Sequence, residues 1–156
     1  MEVSDALVIS ERPRKTRAEI LRERVVIRLA LDETGPTISE ILKANGIELP
    51  GANWSKVFPH WLIACDRDDV IGCVIVLPAK PVGYAEFLFV KPSISFKLRA
   101  LAIRKLIIAA MATIQAGGAA YVGAVLDAKN DKFMGVLTKL NFVRASNNTM
   151  MVKIIA

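Results

Sequence analysis

The side chains able to do chemistry are few and unevenly spread. His60 is the only histidine of the 156 residues, so a zinc site or an imidazole-relayed triad has almost no material to work with. Cys65 and Cys73 fall on two successive strand-like runs, and a turn near Arg67-Asp68 would not set them opposite each other. They read as two buried thiols of a reducing compartment, not as a bridge. The bases are better placed. No Asp or Glu occurs between Glu86 and Asp127, while Lys91, Lys97, Arg99, Arg104 and Lys105 gather around the start of a long helical run. A helix N-terminus offers unpaired N–H groups and the positive end of its dipole, so bases collected there point to an anion such as a phosphate.

The elements that must position these groups follow from period and punctuation. Val25–Leu31 is β-branched and reads as a first strand, with a turn from Asp32 to Gly35. Pro36 and Thr37 open a helix that Ala44 to Gly46 ends. Trp61–Asp66 and Val70–Leu77 form a hairpin, and Tyr84–Val90 extends it to an antiparallel meander. Pro92-Ser93 breaks that strand. A long apolar helix then runs from Phe96 to about Ala116, buried on most of its surface. Ala120–Leu126 is an apolar strand, and strand, crossover helix and strand make a βαβ unit with parallel neighbours. Asn130 to Leu140 is a last helix with Phe133, Val136, Leu137 and Leu140 turned inward, and Phe142-Val143 and Thr149–Ile155 close the chain. The fold class is α/β with a mixed sheet. Residues 1–24 are expected to form an N-terminal arm, with a short helix from Thr16, and 25–156 a single domain.

Composition narrows the function classes. The hydrophobic share is 53% and the aromatic share 6%, which suits an aliphatic core of strands covered by helices on both faces. Leu106 to Leu126 carries no charge and is long enough to span a bilayer, but Gly117-Gly118 divides it where a helix would stop. No membrane span is expected. Glu2, Asp5, Glu11, Glu19 and Glu23 interrupt the opening segment, which therefore lacks the order of an export signal and suggests a cytoplasmic protein. The net charge is +6, yet no nucleic-acid motif accompanies it, so nucleic acid is not an expected partner.

Two segments carry a family resemblance. Ala85-Glu86-Phe87-Leu88-Phe89-Val90-Lys91-Pro92 is similar to the fourth strand of the GNAT N-acetyltransferases, which usually ends in Leu-x-Val-x-Pro. Asn130 to Phe142, with Asn130, Lys139 and Phe142 kept, is similar to that superfamily's Asn-x-x-Ala…Tyr-x-Lys-x-Gly-Phe stretch. The resemblance covers Val25 to Ile155 and implies a meander followed by two parallel strands that splay apart near Val90. It implies acetyl-CoA as cofactor and an amine as acceptor. Leu88 and Val90 would face the thioester arm, and Lys97, Leu98, Arg99, Ala100 and Asn130 would hold the cofactor, whose pyrophosphate rests on the long helix's N-terminus. Glu86 would be the general base.

The same comparison exposes departures. The superfamily's loop, Arg or Gln, then Gly, then Gly or Ala, aligns with Ser95, Leu98 and Ala100, and only Ala100 fits. Leu98 is expected to crowd the phosphate. The usual acid, a Tyr, aligns with Leu137, which has no proton to give, and Asn141 stands for a Gly. Two functions remain open: a slow acetyl-CoA-dependent N-acyltransferase, or a degenerate, non-catalytic binding or structural module of a virion or other assembly. The arm is a candidate contact for a protein partner.

Overall fold

A computed structural model of the chain describes residues 16–48, 60–125, 131–145 and 150–155. Helix α1 (Arg17–Arg24) leads into strand β1 (Val25–Leu29), and helix α2 (Gly35–Ala44) follows. Strands β2 (Trp61–Asp66), β3 (Asp69–Leu77) and β4 (Val82–Val90) form the meander. Helix α3 (Phe96–Ala116), strand β5 (Tyr121–Val125), helix α4 (Asp131–Lys139) and strands β6 (Val143–Arg144) and β7 (Met150–Ile154) complete the chain. The expected elements are present, with ends shifted by a residue or two. Asn130 lies outside the described residues.

The seven strands make one sheet in the order β1-β2-β3-β4-β5-β7-β6. Every neighbouring pair is antiparallel except β4 and β5, which run parallel as the crossover through α3 requires. Breakers sit where the chain must turn. Arg67 adopts φ 58° at the β2–β3 turn, and Gly118 adopts φ 82° just after α3, so the apolar run from Leu106 is split as its glycines indicated. No helix among the described residues is long and apolar enough to cross a membrane.

Two cores cover the two faces of the sheet. Leu62, Ala64, Val74 and Val76 pack against the α3 stripe Leu98, Ala102, Leu106, Ala110 and Ile114. Their alternating neighbours Trp61, Ile63, Cys65 and Cys73 pack against Ile38, Ile41 and Leu42 of α2. The period-2 alternation of the strands meets a helical stripe on each side, which is why both strand faces are apolar. Cys65 and Cys73 are free and buried; Cys73 faces Ile63 across the ladder, while Cys65 faces Val70.

Helix α1 lies in the segment expected to form an arm, and it is tied to the strands and to α3. Thr16 caps it through a reciprocal pair with Glu19. Arg24 grips Asp66 with Nε at 2.5 Å and Nη2 at 2.6 Å, a two-pronged fit of guanidinium to carboxylate. Lys105 Nζ, from α3, donates to the carbonyls of Arg22 at 2.6 Å and Val25 at 2.5 Å, placing a cation on the last-turn carbonyls of α1.

Candidate active site

The feature that organises the site is a break in β4. On β3, Cys73 pairs with Phe89 and Ile75 with Glu86, so Val74 alone opposes both Phe87 and Leu88. This is a β-bulge, and Phe87 takes it up with φ 50°, an uncommon conformation for a bulky side chain. Among the described residues, pairing of β4 with β5 runs from Val82↔Tyr121 to Ala85↔Ala124. This pairing ends just ahead of the bulge, short of the expected parting point near Val90. The physical reason is the bulge itself, which bends β4 away before its last three residues.

Beyond that point β4 keeps β3 on one side and loses β5 on the other. Lys91 N–H donates to Ile71 O at 2.8 Å, and Val90 sits opposite Gly72. Alternation in an antiparallel ladder then turns the Val90 N–H and C=O away from β3, toward the gap. The carbonyl is met there by Asn45 Nδ2 at 3.1 Å, which also bonds Ile41 O at 2.8 Å. Gly72 is required at this point. A Cβ on it would lie 2.7 Å from Val90 Cγ1 and 3.0 Å from Phe89 O, forcing the end of β4 to move.

A cavity of about 550 Å³ fills the gap. On the α3–α4 side its walls are Ile107, Ala110 and Met111, one face of α3 by their spacing, together with Phe133 and Leu137 of α4 and Phe142. Ala85, Leu88, Val122 and Ala124 form its floor, and Ile47, Phe87 and Phe89 contribute from the end of α2 and the bulge. Glu86 is the single ionisable residue among the described ones lining it. Glu86 pairs with Ile75, whose side chain belongs to the core under α2, so its own side chain emerges on the α2 face.

The other expected site residues separate into distinct places. Leu88 lines the cavity, while Val90 is buried and is not part of its lining. Leu98 does not project toward a phosphate: it is the third residue of α3, and its side chain is 7% exposed within the core. Its N–H is taken by Ser95 Oγ at 3.4 Å, the helix cap. Ala100 and Lys97 are exposed on α3.

The basic cluster does not assemble as a single anion patch. Arg99 Nη2 bonds Pro92 O at 2.5 Å and Ile94 O at 3.5 Å, bracing the loop before α3. Lys91 pairs with Asp69 at 2.6 Å, and Lys105 holds α1. Lys97 and Arg104, two turns apart on α3, are the exposed members of the group.

Neither thiol is poised to react. Burial raises the Cys73 pKa to about 12, against a smaller lowering by a backbone hydrogen bond at Phe89. Burial also raises Cys65, with Arg28 opposing it. His60 is exposed and lies outside the cavity lining. Among the described residues no group of three or more His, Cys, Asp or Glu could hold a metal.

A parallel pair that opens at a bulge, fed by a meander and crossed by a long helix, is a restrictive topology. The fold is that of the GNAT N-acetyltransferases. N-acetylglutamate synthase from Neisseria gonorrhoeae, complexed with coenzyme A and L-arginine, superposes on 84% of the chain with a TM-score of 0.70 at 15% identity. The chain spans 33% of that longer protein. The PaiA N-acetyltransferase from Thermoplasma acidophilum, in complex with coenzyme A, matches 84% of the chain and 99% of its own length, with a TM-score of 0.67 and 16% identity. A chain of the NatC complex bound to Gag peptide and CoA matches over 85% and 99%, with a TM-score of 0.67 and 14% identity. No protein-family model and no curated protein sequence matches the chain. The GNAT likeness is thus one of three-dimensional arrangement and leaves any chemistry to the residues present.

Phe87, Asn45, Ile47 and Met111 escaped the sequence reading. Phe87 carries no glycine-like signal for its positive φ. Asn45 reaches a strand 45 residues away in sequence. The helical spacing of Ile107, Ala110 and Met111 was the one available clue.

Proposed function

We propose that the chain is an N-acyltransferase that takes an acyl group from acetyl-CoA and passes it to an amine, with slow turnover. The observation that carries this reading is the cavity beside the Phe87 bulge, with Glu86 in its lining and the Val90 N–H turned away from β3. Structural neighbours solved with coenzyme A, one of them also with a peptide, support the class of ligand.

The residues fit a thioester substrate in part. The gap offers an unpaired strand edge for the arm, and the Val90 N–H points where a carbonyl oxygen could gain negative charge. Asn45 occupies the Val90 carbonyl, so that edge presents a donor without a competing acceptor. At the start of α3, the first-turn N–H groups of Phe96 and Lys97 and the exposed Lys97 side chain would hold the pyrophosphate, with Ala100 allowing close approach. The Leu98 backbone is already engaged by Ser95, and Arg99 by its own loop, so this anion site is poorer than the topology permits.

Bound acetyl-CoA supplies an acyl group activated as a thioester. Glu86 receives the proton of the attacking amine as the C–N bond forms and the C–S bond breaks. Leu137, 1% exposed, cannot protonate the departing sulfur, so water must do so. Loss of that acid slows the reaction without removing the nucleophile, the donor edge or the base.

The decisive measurement is calorimetry with CoA and acetyl-CoA, followed by thiol release across a panel of amines. Binding with slow, Glu86-dependent thiol release supports the enzyme. Leu137 in the apolar wall favours a second reading, a non-catalytic module that binds the ligand. Tight binding without release from any amine, and no gain from Leu137→Tyr, would select it.

A further inference from the structure

The sequence predicts that α3 is buried on most of its surface, because apolar residues run all round it. The fold encloses one side only. Leu98, Ala102, Leu106, Ala110 and Ile114 form the inward row. The row half a turn away, Ala100, Arg104, Ile108, Ala112 and Ala116, is exposed. Ile108 in its middle is 45% exposed, and Phe96 at its start is 82% exposed.

This outer face has little to offer water. After Lys105 the polar side chains of α3 are Thr113 and Gln115, and backbone carbonyls take both. Thr113 Oγ1 donates to Ala109 O at 2.9 Å, and Gln115 Nε2 donates to Ile155 O at 2.5 Å. The stretch from Ile108 to Ala116 therefore lacks the charged groups that usually line the solvent side of a surface helix. A contiguous apolar face of this kind marks a contact surface.

The distribution of charge says what covers it. The exposed cations of the helix, Lys97 and Arg104, stand in its first half, and no acid occurs between Glu86 and Asp127. The negative end of the helix dipole lies in the other half. A second α3 packed parallel would set cations on cations. Packed antiparallel, each basic half meets the uncharged half and the negative end of its partner. Centring on Ile108 places Arg104 opposite the partner's Ala112, and Ala100 opposite the partner's Ala116. These are rows of four-residue spacing, which can interlock.

We propose that the outer row of α3 is a self-association surface, on which a second copy of the chain packs with its own α3 antiparallel about Ile108. A single helix row buries less than a permanent dimer does, so the association is reversible. It is independent of any reaction in the cavity.

The test is sedimentation equilibrium of the full chain between about 1 μM and about 1 mM, where a small interface should show a monomer–dimer transition. Ile108→Lys puts like charges at the two-fold axis beside both copies of Arg104, and should weaken association at least about a hundredfold. Because Ile108 is exposed, the urea midpoint of the monomer should stay unchanged. Ala112→Glu sets a carboxylate opposite the partner's Arg104 and should tighten the dimer about fivefold, whereas Ala112→Lys should loosen it by as much or more. A chain that stays monomeric throughout overturns the proposal. So does a dimer indifferent to Ile108→Lys, which would lie on another surface. Shifts of the same sign in the two Ala112 variants overturn the antiparallel arrangement. Co-sedimentation of a monomeric chain with phosphatidylglycerol vesicles would assign the face to a lipid surface and also defeat the proposal.

Discussion

Asn45 Nδ2 lies 3.1 Å from the carbonyl oxygen of Val90 and joins the end of α2 to the splayed end of β4. Replacing it removes the partner of a carbonyl directed into the gap. Asn45→Ala is expected to cost about 0.5–1.5 kcal/mol in stability, read as a shift in the urea midpoint with an unchanged slope. Affinity for acetyl-CoA should fall more than affinity for a nonspecific polyanion, because the freed carbonyl would compete for the Val90 edge. Equal losses for the two ligands would mean that Asn45 acts only on the fold.

Leu98 provides a sharper separation between alignment and geometry. Its position corresponds to a loop glycine, from which the sequence suggests a side chain crowding the phosphate. As the third residue of α3 it instead starts the inward stripe continued by Ala102 and Leu106. Leu98→Ala is therefore expected to destabilise the protein by about 2–5 kcal/mol, without tightening acetyl-CoA binding. A stable variant with improved affinity would return Leu98 to the phosphate site.

These two residues mark how far the sequence could be read. Alternating apolar positions, Pro and Gly breakers and one uncharged helix were enough for the meander, the βαβ unit and the GNAT-like order, since each is set by local period. The site depends on features without local period. Phe87 accepts a positive φ although its type disfavours it, because the pairing of β3 with both flanks of the bulge leaves one residue too many. The basic residues near α3 looked like one patch in sequence, but Asp69 and the carbonyls of Arg22, Val25, Pro92 and Ile94 divide them. Those partners come from other elements, and no spacing rule announces them.

Cys73 should make stability depend on alkaline pH. Its pKa is raised from 9.0 to about 12 in the folded chain, so above 9.0 the unfolded state binds fewer protons than the native state. The contribution is fully present below 9.0 and is lost as pH rises toward about 12. Lysines and tyrosines titrate in the same range, so the informative quantity is the difference from Cys73→Ala. The wild-type urea midpoint should fall more steeply with pH than that of the variant. Parallel curves would show that the Cys73 thiol is not held neutral by the fold.

Glu86 decides whether the gap is a working site. It is the one ionisable side chain among the described residues of the cavity lining, and it stands on the α2 face, opposite the apolar wall. Glu86→Gln keeps its size and removes its basicity, so donor affinity should be nearly unchanged while turnover falls by about 10²–10⁴-fold. Loss confined to turnover matters, because a residue that only shaped the cavity would move binding as well. Leu137→Tyr places a hydroxyl in the wall where the sulfur would depart. It should raise turnover of acetyl-CoA when Glu86 is intact and do little when combined with Glu86→Gln. An unchanged rate in Glu86→Gln would move the base elsewhere. A Leu137→Tyr gain of equal size with and without Glu86→Gln would show that proton removal from the amine does not limit the reaction.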